Sequence, residues 1–321
     1  MNKTLLLGAA LLAAALLGGC TREPPQAKAV RPPQAEAVRP LRIGIMPDVD
    51  SLPLMVAEAE GLFAAEQVAV ELLLFQNPNE RSVAFQAGQL DGIISDLANA
   101  AQFAAGGFDS KITSLTDGRY GVAGSPALAD KRLEGLRGKR IGLSAGTLIQ
   151  YTLDIQLAAA GIGLEDYEPV PVPQMPLRIE MVLTGQLEAV SLPEPLLTAA
   201  VERGAVLLST TDGTDIDAGV LLFRGAALDS RLDAVRAFYR AYYRAAEQIN
   251  ANPGAYRDFL VEKAGFAAEV RDAYRFVRYR KPTLPTVEQI NRVLVWLKAR
   301  GIQDTVLNPE ALLDQRIVAE W

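Results

Sequence analysis

The 321-residue chain contains no histidine and a single cysteine. Without histidine it lacks the commonest general base, the Ser-His-Asp and Cys-His arrangements, and most zinc or copper sites. One cysteine permits no disulfide within the chain. A nucleophile elbow, a phosphate-cradling glycine loop with its lysine and a dinucleotide fingerprint are all missing. Carboxylate pairs and serine–lysine schemes stay open in principle, but these absences point away from an enzyme and from a bound cofactor. Basic surplus is lacking too, since 32 Lys and Arg stand against 38 Asp and Glu, a net charge of −6. That balance argues against nucleic acid or an anionic membrane surface as partner.

What is present begins with "MNKTLLLGAALLAAALLGGC": one lysine, an apolar stretch from Leu5 to Leu17, then small residues. Too short and wrongly flanked for a spanning helix, residues 1–20 read as a secretory signal. Leu17-Gly18-Gly19-Cys20 resembles the lipobox of bacterial lipoproteins, which implies cleavage before Cys20 and lipid on that residue. The plainer alternative is an ordinary signal that happens to hold a cysteine. Residues 21–40 carry PPQAKAVR followed by PPQAEAVR. Paired prolines, alanine and scattered charge give little to bury, so this stretch reads as a disordered tether reaching at most roughly 60 Å. The expected location is outside the cytoplasm, on the cell envelope, with a globular body held near a membrane.

In that body two stretches nearly repeat. "AGQLDGIISD" at 87–96 is echoed by "TGQLEAVSLPEP" at 184–195, and "LRIGIMPDVD" at 41–50 by "KRIGLSAGT" at 139–147. Gly185 lies 97 residues beyond Gly88, and Gly142 lies 98 beyond Gly44. Two echoes in one order at nearly one offset imply two lobes on a common plan. Each lobe reads as strand–helix–strand–helix–strand, the pattern of a mostly parallel sheet. In the first, "LRIGIM", "VAVELLLF" and "GIIS" are strands and "LMVAEAEGLFAAE" and "NPNERSVAFQAGQLDG" helical. In the second, "KRIGLS", the proline-bearing edge strand "YEPVPVP" and "LEAVSLP" alternate with helices over "GTLIQYTLDIQLAAAG" and "LRIEMVLTGQ". "SKITSLTDGRYGVAGSP" is placed to cross between lobes and "DAGVLLFRG" at 217–225 to cross back. The expected organisation is residues 41–119 with 225–321 in lobe one and 120–224 in lobe two. Phe238, Tyr239, Tyr242 and Tyr243 share one broad helix face, read as core rather than a ligand cage.

This α/β arrangement, two Rossmann-like lobes joined by two crossings around a cleft, resembles the periplasmic-binding-protein fold of the second topological class. More specifically, "RIGIMPDVDSLPLMVAEAEGLFAAEQVAVEL", "AFQAGQLDGIISDLANAAQF", "LEGLRGKRIGLSAGT" and "TGQLEAVSLPEPLLT" resemble motifs of the extracytoplasmic solute-binding proteins for nitrate, sulfonate, taurine and thiamine precursors. Gln67 and Val68 stand where that family usually places glycine. The resemblance implies a monomeric receptor that passes a small solute to the permease of an ABC importer and performs no chemistry. Two other readings remain: a sensor lipoprotein that signals through a membrane partner, and an enzyme on the same fold.

Ligands of such sheets bind where strands end in loops and helices begin. In lobe one this singles out Asp48, Asp50, Ser51 and Leu52, whose alternative role is a helix-capping cluster. Ser95 and Asp96 follow the third strand, with Asp96 either a ligand group or a helix cap. In lobe two Ser144, Gly146 and Thr147 offer amides and hydroxyls, and Tyr151 either stacks on a ligand ring or joins the core. Glu194 matches the family's acid–proline pair, or is a solvated loop carboxylate. Asp217 lies near the hinge, where Arg119 pairs either with it or with a ligand acid. The acids outnumber the one base, which favours a neutral or cationic organic solute, such as a thiamine-precursor heterocycle, over nitrate or sulfonate. No metal site is expected, since the histidines that zinc or manganese would take are missing; an all-oxygen site for a hard ion is the open alternative.

Overall fold

The computed structural model describes residues 39–321. The signal, Cys20 and the tether up to residue 38 lie outside the described residues. Two five-stranded sheets organise the rest. In the first, β1 (Leu41–Ile45), α1 (Leu52–Ala59), α2 (Leu62–Ala65), β2 (Val70–Leu74), α3 (Pro78–Gln86), β3 (Gly92–Asp96), α4 (Leu97–Ala105) and β4 (Ser110–Leu115) follow in order. The chain then enters the second sheet with β5 (Tyr120–Gly124). There it builds β6 (Arg140–Leu143), α5 (Leu148–Ala159), β7 (Glu168–Pro171), α6 (Met175–Leu183), β8 (Ala189–Pro193), α7 (Leu196–Glu202) and β9 (Val206–Thr210). β10 (Gly219–Arg224) returns to the first sheet and leads into α8 (Gly225–Ala251). Three further helices are α9 (Arg257–Glu262), α10 (Val270–Ala273) and α11 (Val287–Ala299).

The strand orders are β2-β1-β3-β10-β4 and β7-β6-β8-β5-β9. In each sheet three parallel strands are followed by an antiparallel strand arriving from the other lobe, β10 in one and β5 in the other. The return therefore falls before Gly219, not at the expected 224/225 boundary, because Gly219–Phe223 already pair with Asp96–Gly92 of β3. β7 is an edge strand, where Pro169 and Pro171 leave no missing donor inside the sheet.

Each letter of the repeated motif but one has a structural reason. Gly88 and Gly185 take φ of +75° and +73° as α3 and α6 end, a conformation that glycine adopts without the Cβ clash. Leu90 and Leu187 are buried beneath β1 and β6, close against Gly44 and Gly142. Asp91 accepts the Arg42 N–H at 2.9 Å and Glu188 accepts the Arg140 N–H at 3.1 Å, satisfying a donor at the start of each neighbouring strand. Nothing in the structure explains the glutamine.

The helical stretch over 54–66 is two helices, divided at Gly61, which lies in the left-handed region where the spacing places a helix C-terminus. The 27-residue α8 lays Phe238, Tyr239 and Tyr242 into the core of the first lobe, with Tyr243 partly buried beside them. Phe238 stacks on Phe63 at 5.7 Å, and the Tyr239 hydroxyl meets Thr113 Oγ1 at 2.8 Å. Each fully buried ring contributes about 2–3 kcal/mol of apolar burial. The stripe is core.

Candidate functional site

The two lobes close on a cavity of about 50 Å³ at the ends of β1, β3 and β8. Its polar lining is Asp48, Asp50, Arg81, Ser95, Asp96, Tyr120 and Thr147, and its apolar lining includes Met46, Ile94, Leu148 and Met175. Bonds across the cleft hold it shut: Val49 N donates to Glu194 O at 3.1 Å, and Gln102 Nε2 to Gly146 O at 2.9 Å.

Every acidic group here has its own local support. Asp48 Oδ1 accepts from Ser51 N at 3.1 Å and from Ser51 Oγ at 2.9 Å, while that hydroxyl accepts from Met46 N at 3.2 Å. Ser51 therefore braces the loop from behind. Burial, and then the neighbouring Asp50, push the Asp48 carboxyl up to about 8. Asp50 Oδ2 accepts from the Tyr120 hydroxyl at 2.6 Å. A Cβ on Gly118 would sit 2.1 Å from that oxygen, and one on Gly219 3.1 Å from Oδ1. Both crossings thus press their glycines against Asp50, which ties the start of lobe two to the first loop of lobe one. Asp96 caps α4, accepting from Asn99 N at 2.8 Å and Asn99 Nδ2 at 3.2 Å. Burial raises its carboxyl as well, eased by the Asn99 amide, Arg81 and the Leu148 N–H across the cleft. Thr147 caps α5 through Ile149 N at 3.2 Å.

Of the residues singled out from sequence, Asp48, Asp50, Ser95, Asp96 and Thr147 share the cavity. Others lie elsewhere. Leu52 is wholly buried in the core of the first lobe. Ser144 Oγ accepts from Arg178 Nη2 at 2.5 Å. Gly146 uses its carbonyl for Gln102 and its N–H for Gln150. Tyr151 packs edge-on against Trp296 at 5.4 Å, away from the cleft. Glu194 is buried, not solvated; its carboxylate accepts from Thr198 N at 3.0 Å and Thr198 Oγ1 at 2.7 Å. It borders a separate cavity of about 350 Å³. Asp217 pairs with Arg280 at the hinge, and Arg119 pairs with Asp212 at 2.6 Å and the Arg275 carbonyl, leaving Asp217 to its other partner.

The residue missed from sequence is Arg81, on α3 and only 4% exposed. Its signal was in the repeat. Seven residues before each Gly-Gln-Leu-acid glycine stands an arginine, Arg81 in one lobe and Arg178 in the other. Both lie with Cγ about 3.1–3.2 Å from where a Cβ on Gly44 or Gly142 would stand. Arg178 is engaged through all three nitrogens: it donates four bonds, to Val172 O (twice), Ser191 O and Ser144 Oγ, and burial with no carboxylate beside it lowers its guanidinium to about 9. Arg81 donates only to Ser95 Oγ, at 3.2 Å, and its buried Nε has no partner.

Two mixed sheets exchanging one strand each, closed on a polar cavity at their strand ends, define a two-lobed periplasmic-binding-protein fold. The chain belongs to the NMT1/THI5-like family, whose model matches residues 48–255. No curated protein matches it. Among solved structures it is similar to the ligand-binding component of an ABC-type import system from Staphylococcus aureus, with zinc bound. There the TM-score is 0.76 and the identity 16%, over 87% of this chain and 98% of that one. It is also similar to the periplasmic nitrate-binding protein NrtA from Synechocystis PCC 6803, with TM-score 0.74 and identity 15% over 88% of each chain. A desulfurization enzyme, DSZB, shares the fold at TM-score 0.65 and 14% identity, over 88% of this chain and 98% of that one. At these identities the likeness is one of fold.

Proposed function

We propose that this chain is a lipid-anchored receptor, held on the envelope through Cys20, that captures a small organic solute between its lobes for an ABC importer. The observation that carries the reading is the closed interlobe cavity with Asp48, Asp50 and Asp96 around a single guanidinium. Three carboxyls against one cation disfavour a lone anion such as nitrate or a sulfonate and favour a solute that brings positive charge or N–H donors. The size adds a limit. About 50 Å³ amounts to a few water molecules, which favours a solute of a few non-hydrogen atoms over a thiamine-precursor heterocycle. Support for a receptor over an enzyme comes from the lining itself. It offers buried carboxyls engaged with Ser51, Tyr120 and Asn99, and neither histidine nor cysteine to act as base or nucleophile.

Native mass spectrometry of the full-length protein in detergent, purified without refolding, tests this. The expected result is a stoichiometric small-molecule adduct released on denaturation, together with a mass increment on Cys20 from its lipid. A sulfonate or nitrate adduct would sink the reading of the acidic cleft. A stable complex with a signalling membrane protein and no adduct would favour the sensor reading instead.

A further inference from the structure

Resting on that receptor reading, we infer that the solute is a small zwitterion, whose anionic end takes the Arg81 guanidinium and whose ammonium end takes Asp48 and Asp96.

Two copies of one motif inside this single chain put their arginines to different uses. In lobe two the motif arginine is a structural clamp. Arg178 gathers the carbonyls that follow β7 and lie within β8, together with the hydroxyl after β6, so that four of its five N–H donors are committed to the fold. At the same 97-residue offset in lobe one the clamp has come undone. Ser144 corresponds at the strand's offset to Met46, which has no hydroxyl, and no carbonyl takes the place of Val172 O or Ser191 O for Arg81. A guanidinium carries five N–H donors. Arg81 commits one, to Ser95, and is otherwise buried with its Nε unpaired at the wall of the cavity.

A buried arginine normally finds a carboxylate, and three stand nearby, yet none of Asp48, Asp50 or Asp96 pairs with it directly. Each is held off by its own partners: Asp48 by Ser51, Asp50 by Tyr120, Asp96 by Asn99. The guanidinium and the buried carboxyls therefore face one another across the cavity without meeting. Leaving them so is costly unless something dipolar spans the gap. A lone cation would satisfy the aspartates and leave Arg81 unpaired; a lone anion would do the reverse. A molecule with a carboxylate at one end and an ammonium a few bonds away satisfies both, and the planar fork of arginine matches a carboxylate in two parallel bonds. Asp50 is left out of the contact because the Tyr120 hydroxyl and the crossing glycines already enclose it.

The test is calorimetry on the full-length protein in detergent at neutral pH, freed of carried-over solute by dialysis from denaturant and refolding. The probes are glycine, β-alanine and 4-aminobutanoate, each set against the amine and the carboxylate that make up its halves. At least one zwitterion is expected to bind about 30-fold or more tighter than either half, since two charged contacts replace one. Arg81→Gln is expected to bring that zwitterion down to the affinity of the amine alone, with the melting temperature unchanged or raised, because an unpaired buried cation has gone. Should Arg81→Gln fail to fold, Arg81→Lys, which keeps the charge and loses the fork, is expected to cost about 10-fold. Arg178→Gln is the internal control, expected to lower the melting temperature in a way its lobe-one counterpart does not. Three outcomes overturn the inference: an amine as tight as the zwitterion, an Arg81→Gln variant with undiminished affinity, or no heat with any zwitterion. The receptor reading fails separately, by the lack of any adduct on the native protein.

Discussion

Asp48 is the residue at which the cavity's electrostatics can be read most directly. Its carboxyl is pushed up to about 8 by burial and by Asp50. An acid whose folded value lies above its unfolded value stabilises the fold fully below the ordinary carboxylate range, and that contribution is lost as pH rises through the folded value. The solute-free protein is thus expected to melt at lower temperature as pH is raised from 5 to 9. Asp48→Asn should flatten that dependence, gaining on the order of 3 kcal/mol over the wild type near pH 9. Scanning calorimetry across that range checks it; a variant that loses stability equally at every pH would contradict the sign. A bound ammonium reverses the sense by favouring the ionised form, so the same scan with saturating solute should show a shallower slope.

At the scale of elements the motif turns carry the lobes. Gly88 and Gly185 end their helices in the left-handed region, while Gln67, between α2 and β2, is the one non-glycine among the described residues that does so, at φ 56°. A side chain there costs about 1 kcal/mol through its Cβ, partly offset by the freedom that glycine adds to the unfolded chain. Gln67→Gly is expected to stabilise the fold by about 0.5–1 kcal/mol in urea titration without touching solute binding. A loss of stability would show that the glutamine side chain does more than fill a turn.

For the whole molecule the question is what holds the lobes closed. α11 packs on α4 of lobe one and reaches Asp154 of α5 in lobe two. Asp154 accepts from Trp296 Nε1 at 2.7 Å, from Tyr167 Oη at 2.6 Å, and from Arg300, whose guanidinium also lies over the Tyr167 ring. All four groups meet in a largely buried cluster, so Asp154→Asn leaves a buried cation without its charge partner. It is expected to cost about 3–5 kcal/mol. The expected consequences are a larger radius of gyration by small-angle scattering and a red shift of Trp296 emission, because the hinge loses a strap spanning both lobes. An unchanged scattering profile would assign Asp154 to stability alone.

Much of this fold is legible in the sequence. The doubled Gly-Gln-Leu-acid foretold two lobes because a helix end feeding a buried strand needs a left-handed glycine, an apolar residue under the sheet and an acceptor for an N–H at the start of the adjacent strand. The glycine answers a local need, and the leucine and acid meet the neighbouring strand at nearly the same separation in both lobes, so all three recur as letters. Proline in "YEPVPVP" marked an edge strand for the same reason. What depended on distant partners was not legible. Glu194 and Asp217 look like Asp48 and Asp96 as letters, yet Thr198 takes one and Arg280 the other. Arg81 and Arg178 are the same letter in the same motif. Whether such a group is a clamp or a free hand turns on residues brought alongside by the closing of the sheets, and on burial, which sets the cost of leaving a charge unpaired. The local turns and strands were written in the sequence itself; the assignment of each charge was decided only when the two lobes folded together.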